Sequence, residues 1–361
     1  MITIGLTIVG LAFVLTLVLT PIVRRLAPRW GLVDAPAERK VHTDPMPMGG
    51  GIAIFAGVMA PMLLGLAVIL LLRLGIRLPG VPAVVMDQLP LLTAVAPKLL
   101  ALMVGGVVIF AMGLVDDKRG LSVTTRLAVE VAVAILLVVS GMSITLFIES
   151  RILCALITIA WIVGITNAFN FLDNMDGLSA GTALILSSIF LIVAVQTEQF
   201  FVAALLLTIV GAMAAFLVFN FPPAKIFMGD AGALFIGYML ASAAVVFTFY
   251  VEGSPLFPVC APLIVFCVPL FDTISVVAIR LRERRSPFQA DKKHFSHRLV
   301  ALGMTPRQAV LTIYLITFAT GVTATLLYRT STVGALIILI QVLAVILVIA
   351  LLEGTGGGQS S

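Results

Sequence analysis

Apolar runs of helical length alternate with short polar stretches from one end of the chain to the other. The runs cover 2–19, 52–72, 98–115, 125–139, 152–168, 178–195, 201–219, 231–250, 259–281, 308–328 and 333–352. A segment that crosses a bilayer must satisfy its own backbone hydrogen bonds, and a helix of about twenty apolar residues does so. The pattern therefore predicts an all-α fold, a polytopic integral membrane bundle of about 11 transmembrane helices. Residues 1–352 are expected to form one transmembrane domain, and 353–361 (EGTGGGQSS) a flexible cytoplasmic tail. No basic residue precedes the first run and no small-residue cleavage pattern follows it. It reads as a retained span and not as a signal peptide.

Composition confirms the class, and charge adds a direction. The chain is 61% apolar and only 11% charged, where a soluble domain carries about a quarter charged residues. Mean hydropathy is +1.20. Cys154, Cys260 and Cys267 all lie in apolar runs and imply no disulfide framework. The net charge of +5 is no nucleic-acid signal, because its placement follows the membrane. Assigning alternate connections to two sides puts 17 of the 22 basic residues on one side, among them Arg24, Arg25, Lys118, Arg119 and most of the run from Arg280 to Arg307. The positive-inside rule makes that side cytoplasmic, with the N-terminus outside and the C-terminus inside.

The polar stretches on that side carry distinctive chemistry. NAFNFLDNMDGLSAG, 167–181, holds the amides Asn167, Asn170 and Asn174 and the carboxylates Asp173 and Asp176 ahead of Gly177. Asn170, Asp173 and Asp176 recur every three residues, so a continuing helix would hold them along one slowly turning face. The plainer reading is a polar helix end stopped at Gly177. Asp116 and Asp117 sit in GLVDDKRG, 113–120. Adjacent carboxylates repel, which can leave one as a proton acceptor; capping of the next helix, or pairing with Lys118 and Arg119, competes. Asp230 lies in FMGDAG, 227–232, among small residues that let a phosphate or a metal approach the backbone at a helix start. An N-cap role competes there.

Asp291, His294 and His297 follow at three-residue spacing, with Arg298 beside them. Oxygen-rich sites that share substrate phosphates suit Mg²⁺, so these histidines read as phosphate binders more than as zinc ligands. Lys40 and His42 lie in RKVHTDPMPMGGG, 39–51, a loop where a lone histidine is usually just exposed. Asp272 stands inside an apolar run, about 12 Å from its end by helical rise. A carboxylate there is a functional candidate by default, and Glu130 is similar. Acids, amides, histidines and basic groups on one membrane face can bring a diphosphate from water to a phosphate-bearing lipid.

DDKRG, NAFNFLDNMDGLSAG, PAKIFMGDAGALFIG and SPFQADKKHFSHRL, in this order, resemble the polyprenyl-phosphate N-acetylhexosamine-1-phosphate transferases, the glycosyltransferase 4 family. The likeness runs from 39 to 297 and leans toward the bacterial undecaprenyl-phosphate N-acetylglucosamine-1-phosphate transferases. It implies a catalytic membrane domain in a bacterial inner membrane, with its active site on the cytoplasmic face. It implies transfer of GlcNAc-1-phosphate from UDP-GlcNAc to undecaprenyl phosphate with release of UMP, supported by Mg²⁺ or, in its place, Mn²⁺. By the same resemblance Asp116 and Asp117 are the catalytic paired acids, together with His294. Asn170 and Asp230 match Mg²⁺ contacts. Asp173, Asp176, Asp291, His297, Arg298, Lys40 and His42 fall to substrate binding, Asp176 on the uracil side. Relatives often carry a third histidine where this chain has Ser296.

Two rival readings stand beside this one. The related phospho-MurNAc-pentapeptide transferases usually have a denser histidine run than DKKHFSHRL. A secondary transporter would place its acids near the midplane at broken helices, whereas here all but Asp272 and Glu130 fall at one membrane surface. Direct attack of the lipid phosphate and a route through an aspartyl-phosphate are both compatible with these residues, and assembly as a homodimer is left open.

Overall fold

A computed structural model describes residues 2–34, 45–76, 79, 81–145, 148–247, 257–286 and 293–356. Lys40, His42 and Asp291 lie outside these residues. The described chain is helical almost throughout: α1 (Ile2–Leu26), α2 (Gly50–Arg73), α3 (Ala83–Asp87), α4 (Leu89–Arg119), α5 (Val123–Val139), α6 (Arg151–Leu172), α7 (Leu178–Gln196), α8 (Phe200–Asn220), α9 (Gly229–Val246), α10 (Ala261–Val265), α11 (Cys267–Arg282), α12 (Phe295–Ala301), α13 (Pro306–Gly321) and α14 (Thr332–Gly356). Among the described residues, nine helices are long and apolar enough to cross a membrane, or ten if the bent pair at α10–α11 is one span. The protein is a multi-pass membrane protein.

Two of the expected spans differ in form. The expectation of an unbroken helix over 259–281, the ninth of the eleven runs, fails at Phe266, where α10 and α11 meet at 63°. Pro269 supplies the reason: it has no N–H for the Val265 carbonyl four residues back, so the ladder lapses at the bend. The segment over 125–139 becomes α5, whose 17 residues measure about 26 Å, short of a bilayer core of about 30 Å. Elsewhere helices outrun their apolar cores. α4 begins at Leu89 and not near 98, with Pro90 in the first turn, where no N–H is needed. α14 runs past 352 to Gly356.

The bundle is built around α9. Every residue from Ala231 to Val245 is buried, and α4, α6 and α2 pack against it. Small residues make the approach close enough to bring backbones into contact, the usual device where lipid offers no hydrophobic drive between helices. A Cβ on Gly113 of α4 would sit 2.5 Å from the Ala231 Cα. One on Gly51 of α2 would sit 2.4 Å from the Gly232 backbone nitrogen. The chain entering α2 is also tied to the chain entering α9. The Gly50 N–H donates to the Phe227 carbonyl at 2.9 Å, the Gly51 N–H to the Met228 carbonyl at 2.9 Å, and the Phe227 N–H to the Pro47 carbonyl at 2.9 Å. A two-residue antiparallel ladder, Val33–Asp34 with Met46–Pro47, braces the same loop. The ends of α2, α4 and α9 are therefore locked together at one end of the bundle.

Candidate active site

The first half of the site is an exchange between the end of α4 and the start of α9. Asp117, in the last turn of α4, accepts the Asp230 N–H at 2.8 Å and the Ala231 N–H at 3.1 Å. It thus satisfies two donors that the first turn of α9 leaves open, and a carboxylate suits the positive end of that helix. The helix turns in on Gly229, whose φ is +73°; a Cβ there would lie 2.8 Å from the Asp117 carboxylate. Asp116 points the other way. Its Oδ1 accepts the Leu121 N–H at 2.6 Å and its Oδ2 accepts Arg126 Nη1 at 2.8 Å. Neither acid pairs in the way the local sequence suggested, with Lys118 or Arg119; the partner is Arg126, one turn into α5. Arg126 Nη1 also lies 3.7 Å from Asp230 Oδ2, so one guanidinium bridges two of the acids.

The second half comes from the end of α6. Asn170 donates through Nδ2 to Asp230 Oδ1 at 2.6 Å, which leaves the amide oxygen of Asn170 available to a ligand. The helix then stops at Leu172, and Asp173 is its C-cap. The continuing helix with Asn170, Asp173 and Asp176 on one face is therefore not formed. The turn that replaces it sends Asp176 elsewhere: its Oδ2 accepts the Ala224 N–H at 2.9 Å and fastens the 170s turn to the 220s loop. Gly177, in the left-handed region at φ +73°, opens α7; its N–H donates to Asn220 Oδ1 at 3.1 Å, and Asn220 Nδ2 donates to the Ile226 carbonyl at 2.9 Å. Asp173 is left facing the acids. Desolvation, then the charges of Asp230, Asp117 and Asp176, push its carboxyl up to about 8.

The third part is an arm from α11 and α12. His294 is the N-cap residue of α12 and is buried. Its Nδ1 is 2.9 Å from Asp272 Oδ2, and Asp272 Oδ1 accepts the Phe295 N–H at 2.6 Å. The His294 ring lies 5.9 Å from the ring of Phe171, next in sequence to Asn170, and 6.4 Å from that of His297. Ser296, where relatives often carry histidine, donates to Asn174 Oδ1 at 2.5 Å and holds α12 on the 170s turn. Arg298 points back to α11, donating to Ser275 Oγ at 2.8 Å and to the Lys293 carbonyl. Arg280 of α11, also buried, lies 5.5 Å over the Phe171 ring.

Asp117, Asp230, Asn170, Asp173 and His294 are thus linked by direct contacts or by neighbours one residue apart. Sequence reasoning missed Arg126, whose only signal was a guanidinium in the first turn of an apolar run. It also left Asp272 without its partner, since the two are 22 positions apart. Glu130 has a structural counterpart: the Asn167 amide donates to its Oε2, while its Oε1 is sealed without a partner.

Among the described residues no group of three or more histidine, cysteine or acidic side chains closes into a metal cage. The donors present nonetheless fit a hard cation. All are oxygens, and the crowding that raises Asp173 is relieved by positive charge. Mg²⁺ typically takes one or two carboxylates and fills its remaining positions with water and substrate phosphates.

A helical membrane bundle with carboxylates, an amide, a guanidinium and a histidine collected where its helices end is an integral membrane enzyme. Comparison with known proteins says which kind. The family described as glycosyl transferase family 4 matches residues 99–248. Over 348 residues, 94% of this chain and 89% of the relative, the protein is 34% identical to a probable undecaprenyl-phosphate N-acetylglucosaminyl 1-phosphate transferase of Bacillus subtilis (strain 168). It is 34% identical over 338 residues to a decaprenyl-phosphate N-acetylglucosaminephosphotransferase of Mycolicibacterium smegmatis, covering 86% of this chain and 79% of that one. With the undecaprenyl-phosphate alpha-N-acetylglucosaminyl 1-phosphate transferase of Escherichia coli (strain K12) the identity is 28% over 310 residues, 81% and 75% of the two chains. The chain belongs to glycosyl transferase family 4, and the relatives named above are N-acetylglucosamine-1-phosphate transferases by name.

Proposed function

We propose that the protein transfers GlcNAc-1-phosphate from UDP-GlcNAc to undecaprenyl phosphate, giving undecaprenyl-diphosphate-GlcNAc and UMP. The reaction is placed on the cytoplasmic face of a bacterial inner membrane, as the first membrane step of a cell-envelope polysaccharide. The observation that carries this reading is the convergence on Asp230: Asp117 holds its backbone, Asn170 its Oδ1, and Arg126 stands beside its Oδ2. Such a cluster at helix ends suits a substrate with phosphate charge on one side and lipid on the other. The names of the relatives supply the sugar and the acceptor.

The lipid phosphate oxygen attacks the sugar-linked phosphorus in line, and the bond from that phosphorus to the oxygen of UMP breaks. A phosphate monoester is already largely ionised at neutral pH, so no strong base is required. Asp116 is engaged by Arg126 and Leu121, which suits it to aiming the guanidinium at a phosphate. Asp117, Asp230 and the Asn170 oxygen would hold Mg²⁺, and the bound ion would neutralise the diphosphate charge. His294 and His297 are assigned to the diphosphate and sugar on the α12 side, with Arg298 beside them on Ser275 and the Lys293 carbonyl, and Asp173 and Asp176, the latter holding the Ala224 N–H, to the nucleotide.

The test is UMP release from a panel of UDP-sugars by purified protein with undecaprenyl phosphate in detergent. UDP-GlcNAc is expected to be used with Mg²⁺ or Mn²⁺ and not with EDTA. Exclusive use of the UDP-MurNAc-pentapeptide donor would overturn the choice of sugar. Solute transport in proteoliposomes without UMP release would overturn the enzyme.

A further inference from the structure

The contact between α11 and α12 constrains His294 more tightly than burial alone. Asp272 has two carboxylate oxygens, and each faces a different partner: Oδ1 the Phe295 N–H at 2.6 Å, Oδ2 His294 Nδ1 at 2.9 Å. Both Asp272 and His294 are buried. The Phe295 N–H can only donate, so Oδ1 must accept. Opposite a carboxylate oxygen, Nδ1 is the nitrogen placed to carry hydrogen. Among the described residues no protein group bonds the other nitrogen, Nε2, and it is not among the sealed, unpartnered polar atoms. The ring packs beside Phe171, at the end of α6 that carries Asn170 and Asp173. Resting on the transferase reading above, we infer that Asp272 is a positioning residue that holds His294 in its Nδ1–H form and presents Nε2 to the reacting phosphates.

Nε2 then has one of two states. In the neutral ring it is a bare lone pair that can accept a proton. In the charged ring it is an N–H whose positive charge is balanced by the carboxylate behind it, and it can donate to a phosphate oxygen. Groups near the pair are Arg280 over Phe171, His297 on the next turn, and Arg298 anchored on Ser275.

Asp272→Asn tests this because the two contacts respond differently. The Phe295 N–H still needs an acceptor, so it takes the amide oxygen and α12 stays docked. The amide NH₂ is then turned to His294 Nδ1, which must become the bare nitrogen. Nε2 acquires the hydrogen and loses the balancing charge. The variant keeps its fold and inverts the ring.

The chain has only three histidines, so ¹⁵N-histidine spectra of the resting protein in detergent are readable, with His294→Gln identifying the signal. Expected results are a protonated Nδ1 at His294 in the wild type and a bare Nδ1 in Asp272→Asn. UMP release should fall by about 10²- to 10⁴-fold in kcat, with KM for UDP-GlcNAc within about threefold. Asp272→Glu, which keeps two acceptors, should retain the Nδ1–H pattern and recover part of the rate. Adding Asp272→Asn to His294→Ala should cost nothing further. A bare Nδ1 in the wild type, an unchanged pattern in Asp272→Asn, or wild-type turnover in that variant overturns the inference. The spectra need no substrate. An inverted ring in a protein inactive on every donor would sink the transferase reading alone, and a neutral variant of an active enzyme would sink only the role of Asp272.

Discussion

Gly113→Ala adds one methyl group where the end of α4 meets the first turn of α9. Gly113 is four residues before Asp117 on α4, so the two lie on the same helix face. The new Cβ would be 2.5 Å from the Ala231 Cα and 2.7 Å from its nitrogen. Both are backbone atoms at the start of α9 and cannot swing aside. Ordinary contact begins near 3.4 Å, so the helices must part by about 0.9 Å. Asp117 accepts the Asp230 and Ala231 N–H groups at 2.8 and 3.1 Å. Added along those bonds, the displacement takes both beyond about 3.5 Å, where they no longer count as hydrogen bonds. Bonds to a charged group contribute about 1.5–3 kcal/mol each. A misplacement of about 1 Å can lower a rate about 10²-fold. Gly113→Ala should therefore lower kcat/KM for UMP release by about 10²-fold or more. Helical circular dichroism should stay at the wild-type level, since α4 itself gains a better helix former. The assay is initial UMP release at subsaturating UDP-GlcNAc. A variant within about threefold of wild type would show that the end of α4 does not have to sit where this geometry puts it.

Asp117→Asn keeps an acceptor for one of the two α9 N–H groups and turns an NH₂ toward the other; turnover should fall by at least about 10³-fold with helical content unchanged. Asp173 gives a pH dependence. Its carboxyl is raised from an ordinary 3.8 to about 8, so without a cation the folded protein keeps a proton that the unfolded chain has released. That contribution to stability declines as pH rises from about 4 to about 8. Cation binding runs the opposite way. Mn²⁺ affinity followed by electron paramagnetic resonance should weaken by up to about tenfold per pH unit below 8, and Asp173→Asn should flatten the curve; a flat wild-type curve would refute it. Glu130→Leu removes one of the two acceptors of the Asn167 amide inside the bundle, leaving it the Val163 carbonyl at 3.0 Å. The cost should be about 1–3 kcal/mol, read as a lower melting temperature in detergent, while Glu130→Gln should be milder.

Much of the fold is legible in the chain because a bilayer asks for so little local detail. Runs such as 52–72 and 201–219 are apolar throughout, and both emerge as helices that outlast the run by a few residues. What fails locally fails for local backbone reasons that hydropathy does not see. Pro269 breaks 259–281 in two, and the C-cap at Asp173 stops a helix whose three-residue spacing looked ready to continue. The site divides in the same way. Asp117, Asn170, Asp230 and His294 stand out because polar groups are rare beside apolar runs. Arg126 does not, because it matters only through acids elsewhere in the chain, and Asp272, conspicuous inside its apolar run, gives no local sign of its partner His294, 22 positions on.

Sequence alone determined the class, the polar segments and the family motifs, since these depend on composition and order. Partnership was decided by tertiary structure: which acid caps α9, which guanidinium stands between two carboxylates, and which buried carboxylate holds the histidine. Those pairings follow from how closely α2, α4, α6 and α9 approach. That distance is set by glycines meeting backbone across helices, a contact no local pattern contains.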